Sequence, residues 1–293
     1  MRLATFSASG KRQVGLMAAG GAAIEPLELD QGSDAATAIR LLVAGRRLEA
    51  SGPPIPLEQV TLEAPIPRPD RNIFCVGKNY HEHAHEFARS GFDSSAQSGA
   101  VPDAPIIFSK VPETVTAPGR PILIDPRVSG AIDYEAELAV VIGKGGRGIR
   151  KADALDHVWG YTIVNDVTAR DLQGRHKQWL IGKSQDSFCP MGPWLVSRDE
   201  LDLADTQVRC WVNGELRQDA NTNALIFDVP TLIETISAGL TLMPGDIIAT
   251  GTPAGVGIGF NPPKYLKAGD VVRIEIGNIG VLENPVAELG AAA

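Results

Sequence analysis

Short apolar runs separated by turn residues fill the chain from Arg71 onward, and this pattern limits the fold more than any other feature. Runs of this length with such boundaries are typical of β-strands. Helical patterns are fewer, and one of them starts at Asp228 or Thr231 and runs to Ser237. We therefore predict a β-rich α+β fold rather than a regularly alternating parallel sheet. The candidate strands are Arg71–Val76, Ile106–Lys110, Leu138–Ile142, Tyr161–Asp166, Val208–Val212, Asp246–Ala249 and Val271–Ile276.

Local turn signals predict two hairpins. Asn213-Gly214 follows the run Cys210-Trp211-Val212. A type I′ turn needs positive φ at both central positions, which Asn and Gly allow. At the N-terminus, Leu3–Phe6 and Val14–Met17 flank a Ser-Gly-Lys-Arg turn and predict the second hairpin.

A proline-dense stretch at residues 53–69 divides the N-terminal region from the rest of the chain. Such a stretch is typical of a linker or an extended crossing segment. Before it, Ser33 is predicted to cap a helix over residues 34–47. We therefore expect a small αβ domain with its linker at residues 1–65 and a larger domain at residues 66–293.

Composition excludes several classes of function. The formal net charge of −8 argues against a nucleic-acid partner, which needs a clustered basic surface. No stretch approaches the ~20 apolar residues of a membrane span, and Met1–Phe6 shows no cleavable apolar core. The three cysteines, Cys75, Cys189 and Cys210, are scattered, which favours a reducing compartment over a disulfide framework. We expect a soluble, cytoplasmic protein.

Two glutamates one residue apart, Glu135 and Glu137, open an apolar run, and the run Tyr161–Asp166 ends in an aspartate. Side chains at i and i+2 of a strand share one face. Two carboxylates about 5 Å apart repel by about 3 kcal/mol at an effective dielectric of about 20. A divalent cation would offset this repulsion, and an all-oxygen ligand set suits Mg²⁺ or Mn²⁺ better than zinc. The alternative is a pair of strand ends whose charges are simply solvated.

A second cluster of titratable residues lies in the segment from Gly77 to Glu86. Asn79 is predicted to cap a helix, with Glu82 reaching back to it. On that helix, His83 and Glu86 are i, i+3 neighbours, and a carboxylate beside an imidazole is typical of a general base. The alternative is an ordinary solvated helix face.

Two further features of this segment have alternatives of their own. His81 and His85 stand at i, i+4 and are a conceivable zinc pair, although no third ligand is evident in the sequence. The small polar residues Ser90–Gly99 predict either a mobile lid over a substrate or a plain surface loop.

Glycines and cations after the acidic runs complete the candidate set. Arg170 and Gln173 follow Asp166 closely, and Lys183 lies in a glycine-flanked segment. The alternatives are a structural ion pair for Arg170 and a plain surface position for Lys183. Gly255-x-Gly257-x-Gly259 has the wrong spacing for a dinucleotide fingerprint. We expect these glycines to allow a tight turn or close backbone approach.

Six segments, taken in order, resemble the fumarylacetoacetate hydrolase family, and the resemblance covers about residues 71–286. Six ordered matches are far more specific than any single one. The matching segments are Phe74–Tyr80, Phe108–Lys110, Asp133–Leu138, Asn165–Asp171, Gly182–Ser184 and Thr250–Gly257.

The resemblance implies a mixed β-roll or β-sandwich core, usually assembled as a homodimer, that holds Mg²⁺ or Mn²⁺. It also implies a role for ten residues. These are the metal ligands Glu135, Glu137 and Asp166, the catalytic residues His83, Glu86 and Lys183, and the substrate-binding residues Arg170, Gln173, Thr252 and Tyr80.

The His-x-x-Glu arrangement resembles that of the acylpyruvase and decarboxylase members of the family, which implies a short 2-oxo acid as the substrate. The expected activity is divalent-metal-dependent cleavage of a C–C bond in a 2-oxo or 2,4-dioxo acid through a metal-bound enolate. It would be either acylpyruvate hydrolysis or oxaloacetate decarboxylation. The alternatives are an isomerase or hydratase of aromatic ring-cleavage products, a sugar-acid (2,4-dioxo-3-deoxy) hydrolase, and a non-catalytic metabolite-binding protein.

Overall fold

Strands dominate the computed structural model, which describes residues 1–18, 20–89 and 101–290. Strand bounds differ from the predicted runs by up to three residues, and the β-rich α+β class is confirmed. The strands are β1 (Arg2–Ala8), β2 (Lys11–Met17), β3 (Ala23–Pro26), β4 (Ile55–Pro56), β5 (Thr61–Leu62), β6 (Ile73–Gly77), β7 (Ile106–Lys110), β8 (Val115–Thr116), β9 (Ile122–Ile124), β10 (Ile132–Asp133), β11 (Ala136–Ile142), β12 (Val158–Asn165), β13 (Thr168–Ala169), β14 (Cys189–Ser197), β15 (Gln207–Val212), β16 (Glu215–Asn221), β17 (Ile247–Ala249), β18 (Val271–Ile276) and β19 (Gly280–Glu288).

The described α-helices are short, with at most 11 residues each. The α-helices are α1 (Ala35–Val43), α2 (His81–Arg89), α3 (Arg170–His176), α4 (Leu180–Lys183) and α5 (Val229–Gly239). Single 3₁₀ segments lie at Leu57–Gln59, Pro112–Thr114, Lys151–His157, Arg198–Glu200, Thr222–Ala224 and Gly257–Gly259. Within the described ranges, no helix is long and apolar enough to cross a membrane.

The N-terminal helix differs from its prediction at both ends. Its cap is Asp34 rather than Ser33, because the Asp34 carboxylate accepts a hydrogen bond from the backbone N–H of Thr37. The helix ends at Val43 instead of near Arg47, because Gly45 adopts a φ of +77° just beyond it.

Two antiparallel pairings of the central strands place the site. The largest sheet has the order β4-β3-β2-β1-β14-β12-β11-β17-β6-β7, with β5 attached to β1 and β8 to β14. Strand β11 lies between β12 and β17, antiparallel to both, whereas β17 and β6 are parallel. The sheet is therefore mixed, and the register of β11 with β12 sets Ala136 opposite Asn165.

The N-terminal strands extend this same large sheet. Strand β1 pairs with β14, where Leu3 lies opposite Leu195. Both hairpins predicted from the turn sequences are present, and Asn213 and Gly214 have φ values of +52° and +79° as the type I′ turn requires. Residues 1–65 thus contribute strands to the sheet that also carries the central strands.

The core lies on both faces of β11. Leu138, Val140 and Ile142 point into a cluster shared with the five-stranded sheet, whose order is β16-β15-β18-β19-β9. The alternate residues Ala139 and Val141 point into a second cluster shared with α1 and β1. A strand that is covered on both faces is apolar along most of its length. The charged residues Glu135 and Glu137 therefore lie at the start of β11.

Candidate active site

Three acidic side chains converge where β11 begins and β12 ends. Glu135 immediately precedes β11, Glu137 is its second residue, and Asp166 directly follows β12. Because β11 and β12 are antiparallel neighbours, these two ends meet. One carboxylate oxygen of each residue lies within 4.8 Å of those of the other two, and all three side chains are buried. Oxygen-only ligands in this arrangement fit a hard divalent cation.

Two buried lysines hold the triad in place. Lys183 Nζ donates hydrogen bonds to Glu135 Oε2 at 2.9 Å and to Asp166 Oδ2 at 2.8 Å. Lys110 Nζ donates to Asp166 Oδ1 at 2.7 Å and to the Val167 carbonyl at 3.0 Å. It also donates to the carbonyl of Lys183. Sequence reasoning assigned no role to Lys110, and its signal was only a lysine at the end of an apolar run.

Arg170 joins the triad to its surroundings. Its Nε donates a hydrogen bond to Asp133 Oδ2 at 2.8 Å, and its Nη1 donates to Gln173 Oε1 at 3.2 Å. Its Nη2 forms an ion pair with Glu135 Oε1 at 2.7 Å. The arginine is fully buried, so this charge stays fixed at the site.

The two glutamates of the triad differ in their electrostatics. Burial alone raises the pKa of Glu135, but the charges of Lys183 and Arg170 outweigh it and lower that pKa to about 2. Burial, followed by the charges of Asp166 and Glu135, raises the pKa of Glu137 well above its usual range. The negative charge is therefore undercompensated at Glu137, which is what a cation site requires.

His83 and Glu86 form a pair on one face of α2. His83 Nδ1 lies 3.1 Å from Glu86 Oε2, and both side chains are mostly buried. The backbone N–H of Gly255 donates to the other oxygen, Glu86 Oε1, at 3.0 Å. The expected close backbone approach is confirmed, because a Cβ built on Gly259 would lie 1.9 Å from Glu86 Oε1. Glu86 thus fixes the imidazole and is itself fixed by the glycine loop.

Asp133 is a second anchor of this loop that sequence reasoning did not identify. Its Oδ1 accepts a hydrogen bond from Gly257 N at 2.6 Å, and its Oδ2 accepts one from Ile258 N at 3.0 Å. The same Oδ2 also binds Arg170 Nε. One buried carboxylate therefore links Arg170 to the loop that holds Glu86.

The prediction that Asn79 caps α2 is wrong. Its side-chain amide donates to the carbonyls of Phe227 at 3.0 Å and Thr250 at 2.8 Å, and its oxygen accepts from Phe227 N at 2.8 Å. The Asn79 amide group is occupied by these long-range hydrogen bonds, which connect the segment after β6 to the segments around Phe227 and Thr250.

These side chains surround a small pocket. Seven of the ten predicted site residues line it, whereas Asp166, Glu86 and Tyr80 lie behind the lining. The lining consists of Val76, Gly77, Lys78, His83, Phe87, Phe108, Glu135, Glu137, Arg170, Gln173, Trp179, Lys183 and Thr252.

Comparison with known proteins decides the family. Residues 72–287 match the family model for the fumarylacetoacetate (FAA) hydrolase C-terminal domain. The chain belongs to the fumarylacetoacetate hydrolase family. It is 52% identical over 231 residues to the oxaloacetate tautomerase YisK of Bacillus subtilis, a match that covers 78% of this chain and 74% of the relative.

Solved structures of the fumarylacetoacetate hydrolase fold align over nearly the whole chain. A fumarylacetoacetate hydrolase from Exiguobacterium antarcticum aligns with a TM-score of 0.85 at 39% identity, covering 99% of this chain and 100% of that one. The 2-hydroxyhepta-2,4-diene-1,7-dioate isomerase from Mycobacterium marinum aligns with a TM-score of 0.78 at 34% identity, covering 99% of each chain. The mixed β-roll fold expected from the family is confirmed.

Two of the residues expected to contact substrate are Thr252, whose hydroxyl already has a protein partner, and Tyr80, which does not line the pocket. The Thr252 hydroxyl accepts a hydrogen bond from Gln218 Nε2 at 2.8 Å while lining the pocket. The Tyr80 hydroxyl is buried and has no hydrogen-bond partner among the residues that the structure describes. Burial, followed by the charge of Glu137, raises the pKa of Tyr80.

The remaining predictions around α2 have separate outcomes. His81 and His85 are exposed, and in the described part of the chain the triad is the only group of three potential metal ligands. The zinc alternative therefore has no support here. The lid predicted at Ser90–Gly99 lies outside the described residues.

Proposed function

We propose that the protein catalyses keto–enol tautomerisation of a short 2-oxo dicarboxylic acid such as oxaloacetate, with Mg²⁺ or Mn²⁺ held by Glu135, Glu137 and Asp166. The observation that carries the proposal is the shared pocket, which is lined by Glu135 and Glu137 of the triad and by His83 of the His83–Glu86 pair. The oxaloacetate tautomerase activity named for the relative from Bacillus subtilis, 52% identical, supports this choice.

The proton-transfer step is assigned to His83. With Glu86 Oε2 3.1 Å from Nδ1, the tautomer protonated at Nδ1 donates a hydrogen bond to this carboxylate and leaves Nε2 free to take a proton. In the forward direction, Nε2 removes a proton from C3 of the 2-oxo acid. The imidazolium then returns that proton to the oxygen at C2, which completes the change from keto acid to enol.

Fixed positive charge supports this step. A bound divalent cation would polarise the keto oxygen and favour loss of the C3 proton. Lys183 and Arg170, both buried, supply permanent positive charge beside the developing enolate oxygen without reorganisation. Gln173, oriented by Arg170 Nη1 at 3.2 Å, offers its amide to a substrate oxygen.

C–C bond cleavage, expected from the sequence, is the second candidate. Acylpyruvate hydrolysis and oxaloacetate decarboxylation would use the same fixed charges, and hydrolysis would also use the His83–Glu86 pair to activate water. Tautomerisation is preferred because the named relative is a tautomerase and a structural neighbour is named as an isomerase. Both of those reactions leave the carbon skeleton intact.

The test is to follow three signals with Mg²⁺, with Mn²⁺ and with EDTA. Loss of enol absorbance from freshly dissolved enol-oxaloacetate reports tautomerisation. Pyruvate release reports decarboxylation, and loss of acetylpyruvate reports hydrolysis. We expect metal-dependent enol loss well above the rate with free metal alone, and much slower pyruvate release. Enol loss at the free-metal rate would refute the proposal, and rapid pyruvate release or rapid loss of acetylpyruvate would assign C–C cleavage instead.

We also propose a homodimer and a cytoplasmic location, as the family resemblance and the cysteine pattern suggest. All three cysteines, Cys75, Cys189 and Cys210, are buried and unpaired, which is compatible with a reducing compartment. Light scattering on the purified protein tests the dimer, and a mass of one chain would refute it.

A further inference from the structure

Gln218 is a fully buried amide in the middle of β16, and its hydrogen bonds all reach segments that form the candidate site. Its Oε1 accepts a hydrogen bond from Ala136 N at 3.0 Å. Its Nε2 donates to Thr252 Oγ1 at 2.8 Å and to the Pro253 carbonyl at 2.7 Å. Ala136 separates the two glutamates of the triad, so this one side chain connects the metal-ligand strand to the segment that carries Thr252.

The backbone partners fix which end of the Gln218 amide is oxygen and which is nitrogen. A backbone N–H can only donate, so the end of the amide that meets Ala136 is the oxygen. A backbone carbonyl can only accept, so the end that meets Pro253 is the NH₂ group. That NH₂ group has no acceptor capacity, and Thr252 Oγ1 must therefore accept from Gln218 rather than donate to it.

This orientation leaves the hydroxyl hydrogen of Thr252 available to a ligand. A hydroxyl has one hydrogen to donate, and no residue within 1–18, 20–89 or 101–290 accepts it. The residue is 2% exposed and lines the pocket. A buried donor without an acceptor is costly, so an acceptor oxygen of a ligand in the pocket would satisfy this hydroxyl.

The position of the Thr252 segment is fixed at both ends. Before it, Gly251 N donates a hydrogen bond to Glu137 Oε2 at 2.9 Å. After it, Gly255 has a φ of +99°, and a Cβ there would lie 1.8 Å from the backbone oxygen of Arg217 in β16. Only glycine allows this close approach, which brings Thr252 within reach of Gln218 before any ligand binds.

We propose that Gln218 is a positioning residue that makes the Thr252 hydroxyl a permanent hydrogen-bond donor to a carboxylate or keto oxygen of the substrate. This rests on the proposed function, in which a 2-oxo acid occupies the pocket. The oxygens of such an acid accept hydrogen bonds and donate none. A donor that is oriented in advance binds them without the cost of reorganisation. Gln218 is not among the described residues that line the pocket, so it acts through Thr252.

A double-mutant cycle on oxalate affinity tests this role. Oxalate offers only acceptor oxygens, and its dissociation constant at saturating Mg²⁺ is measured by calorimetry without turnover. We expect Thr252→Val and Gln218→Met each to weaken oxalate binding about tenfold, because a hydrogen bond to a charged ligand is lost or misdirected. The double variant should bind no more weakly than Thr252→Val alone, because the two residues act through one hydroxyl. Thr252→Ser should regain most of the affinity lost in Thr252→Val.

Three outcomes of this cycle would overturn the proposal. One is wild-type oxalate affinity in Gln218→Met. Another is additive loss, about hundredfold, in the double variant. The third is a loss of Mn²⁺ affinity without oxalate in Gln218→Met that matches the loss of oxalate affinity. That result would place the effect at Ala136 and the triad instead of at Thr252.

Asn284→Leu is the matched control. Asn284 is 1% exposed, and its Nδ2 donates to the carbonyls of Ala117 at 2.9 Å and Arg120 at 2.8 Å. It is thus another buried amide that binds two backbone segments, and it does not belong to the lining of the pocket. Its substitution should leave oxalate affinity unchanged. A tenfold loss in this variant as well would show a general effect of removing a buried amide and would overturn the proposal.

Neutron diffraction on deuterium-exchanged wild-type crystals with Mg²⁺ and oxalate keeps the proposal testable if Gln218→Met does not fold. We expect the Thr252 deuteron to point at an oxalate oxygen and a Gln218 deuteron to point at Thr252 Oγ1. A Thr252 deuteron directed at Gln218 would refute the proposal. Neither measurement needs turnover. If wild type moves no C3 proton but these results hold, the proposed function fails and the role of Gln218 stands.

Discussion

Gly259→Ala should disable the His83–Glu86 pair while leaving the carboxylate triad intact. A Cβ at this position would lie 1.9 Å from Glu86 Oε1 and 2.3 Å from its Cδ, far closer than real contacts allow. The φ of Gly259 is open to all residues, so the effect is steric rather than conformational. The Glu86 carboxylate must move, and it then loses its contacts with His83 and with Gly255 N.

The size of the effect follows from what the displaced group does. Overpacking of this kind costs about 1–3 kcal/mol of folding stability. A positioned general base contributes about 10²–10⁴-fold to a rate, so we expect kcat for proton exchange at C3 of oxaloacetate to fall by about 10²-fold. Affinity for Mn²⁺, measured by calorimetry, should stay within about threefold, because the metal ligands do not touch Gly259.

The control for this variant is Gly239→Ala. Gly239 ends α5, and a Cβ there would meet no atom within 4 Å. That variant should retain wild-type kcat. A Gly259→Ala enzyme with wild-type kcat and an undisturbed melting temperature would refute the assignment of Glu86 as the residue that fixes His83.

Three further changes probe the other parts of the site. His83→Ala should lower C3 proton exchange by at least about 10²-fold while Mn²⁺ affinity is retained, and undiminished exchange would remove the pair from the mechanism. Lys110→Met should lower stability by about 3–5 kcal/mol in denaturant unfolding, because it leaves the buried Asp166 without that cation, and a loss below about 1 kcal/mol would contradict this role. The raised pKa of Glu137 favours its protonated form, so the metal-free protein should keep this carboxyl group protonated at pH values above the ordinary carboxyl pKa. The free energy of unfolding should therefore fall as pH rises from the ordinary carboxyl pKa to the raised pKa. Mg²⁺ binding should then release up to one proton, seen as a buffer-dependent binding enthalpy, and a buffer-independent enthalpy would contradict this account.

Local patterns predicted the strands and the metal-binding candidates because the information lies within a few residues. The i, i+2 spacing placed Glu135 and Glu137 at the start of one strand, and the second apolar run ended at Asp166. The type I′ signal of Asn213-Gly214 was equally local. The antiparallel pairing of β11 with β12 then brings the two strand ends together.

Contacts between distant segments could not be predicted in this way. Lys110 binds Asp166 across 56 positions, and Asp133 binds Gly257 across 124 positions. Asn79 looked like a helix cap, but its amide binds Phe227 and Thr250 instead. No single-sequence periodicity encodes such pairings, because they depend on how the sheets pack.

The N-terminal region shows the same effect at the level of topology. Its hairpin and its helix were visible in the local sequence. Its attachment was not, because β1 pairs with β14, which is distant in the sequence, and Arg2 lies opposite Val196. The proline-rich segment that suggested a separable linker also contributes β4 and β5 to the same large sheet.

The most direct test of the central claim measures Mn²⁺ binding and enol-oxaloacetate loss side by side in wild type and in Glu135→Ala. Glu135 Oε1 and Oε2 are held by Arg170 and Lys183 at the triad, so removal of this carboxylate removes a metal ligand and one of the two carboxylate partners of each cation. We predict that wild type binds Mn²⁺ with one ion per chain and accelerates enol loss, and that Glu135→Ala does neither. A folded Glu135→Ala protein that binds Mn²⁺ and remains active would contradict the account.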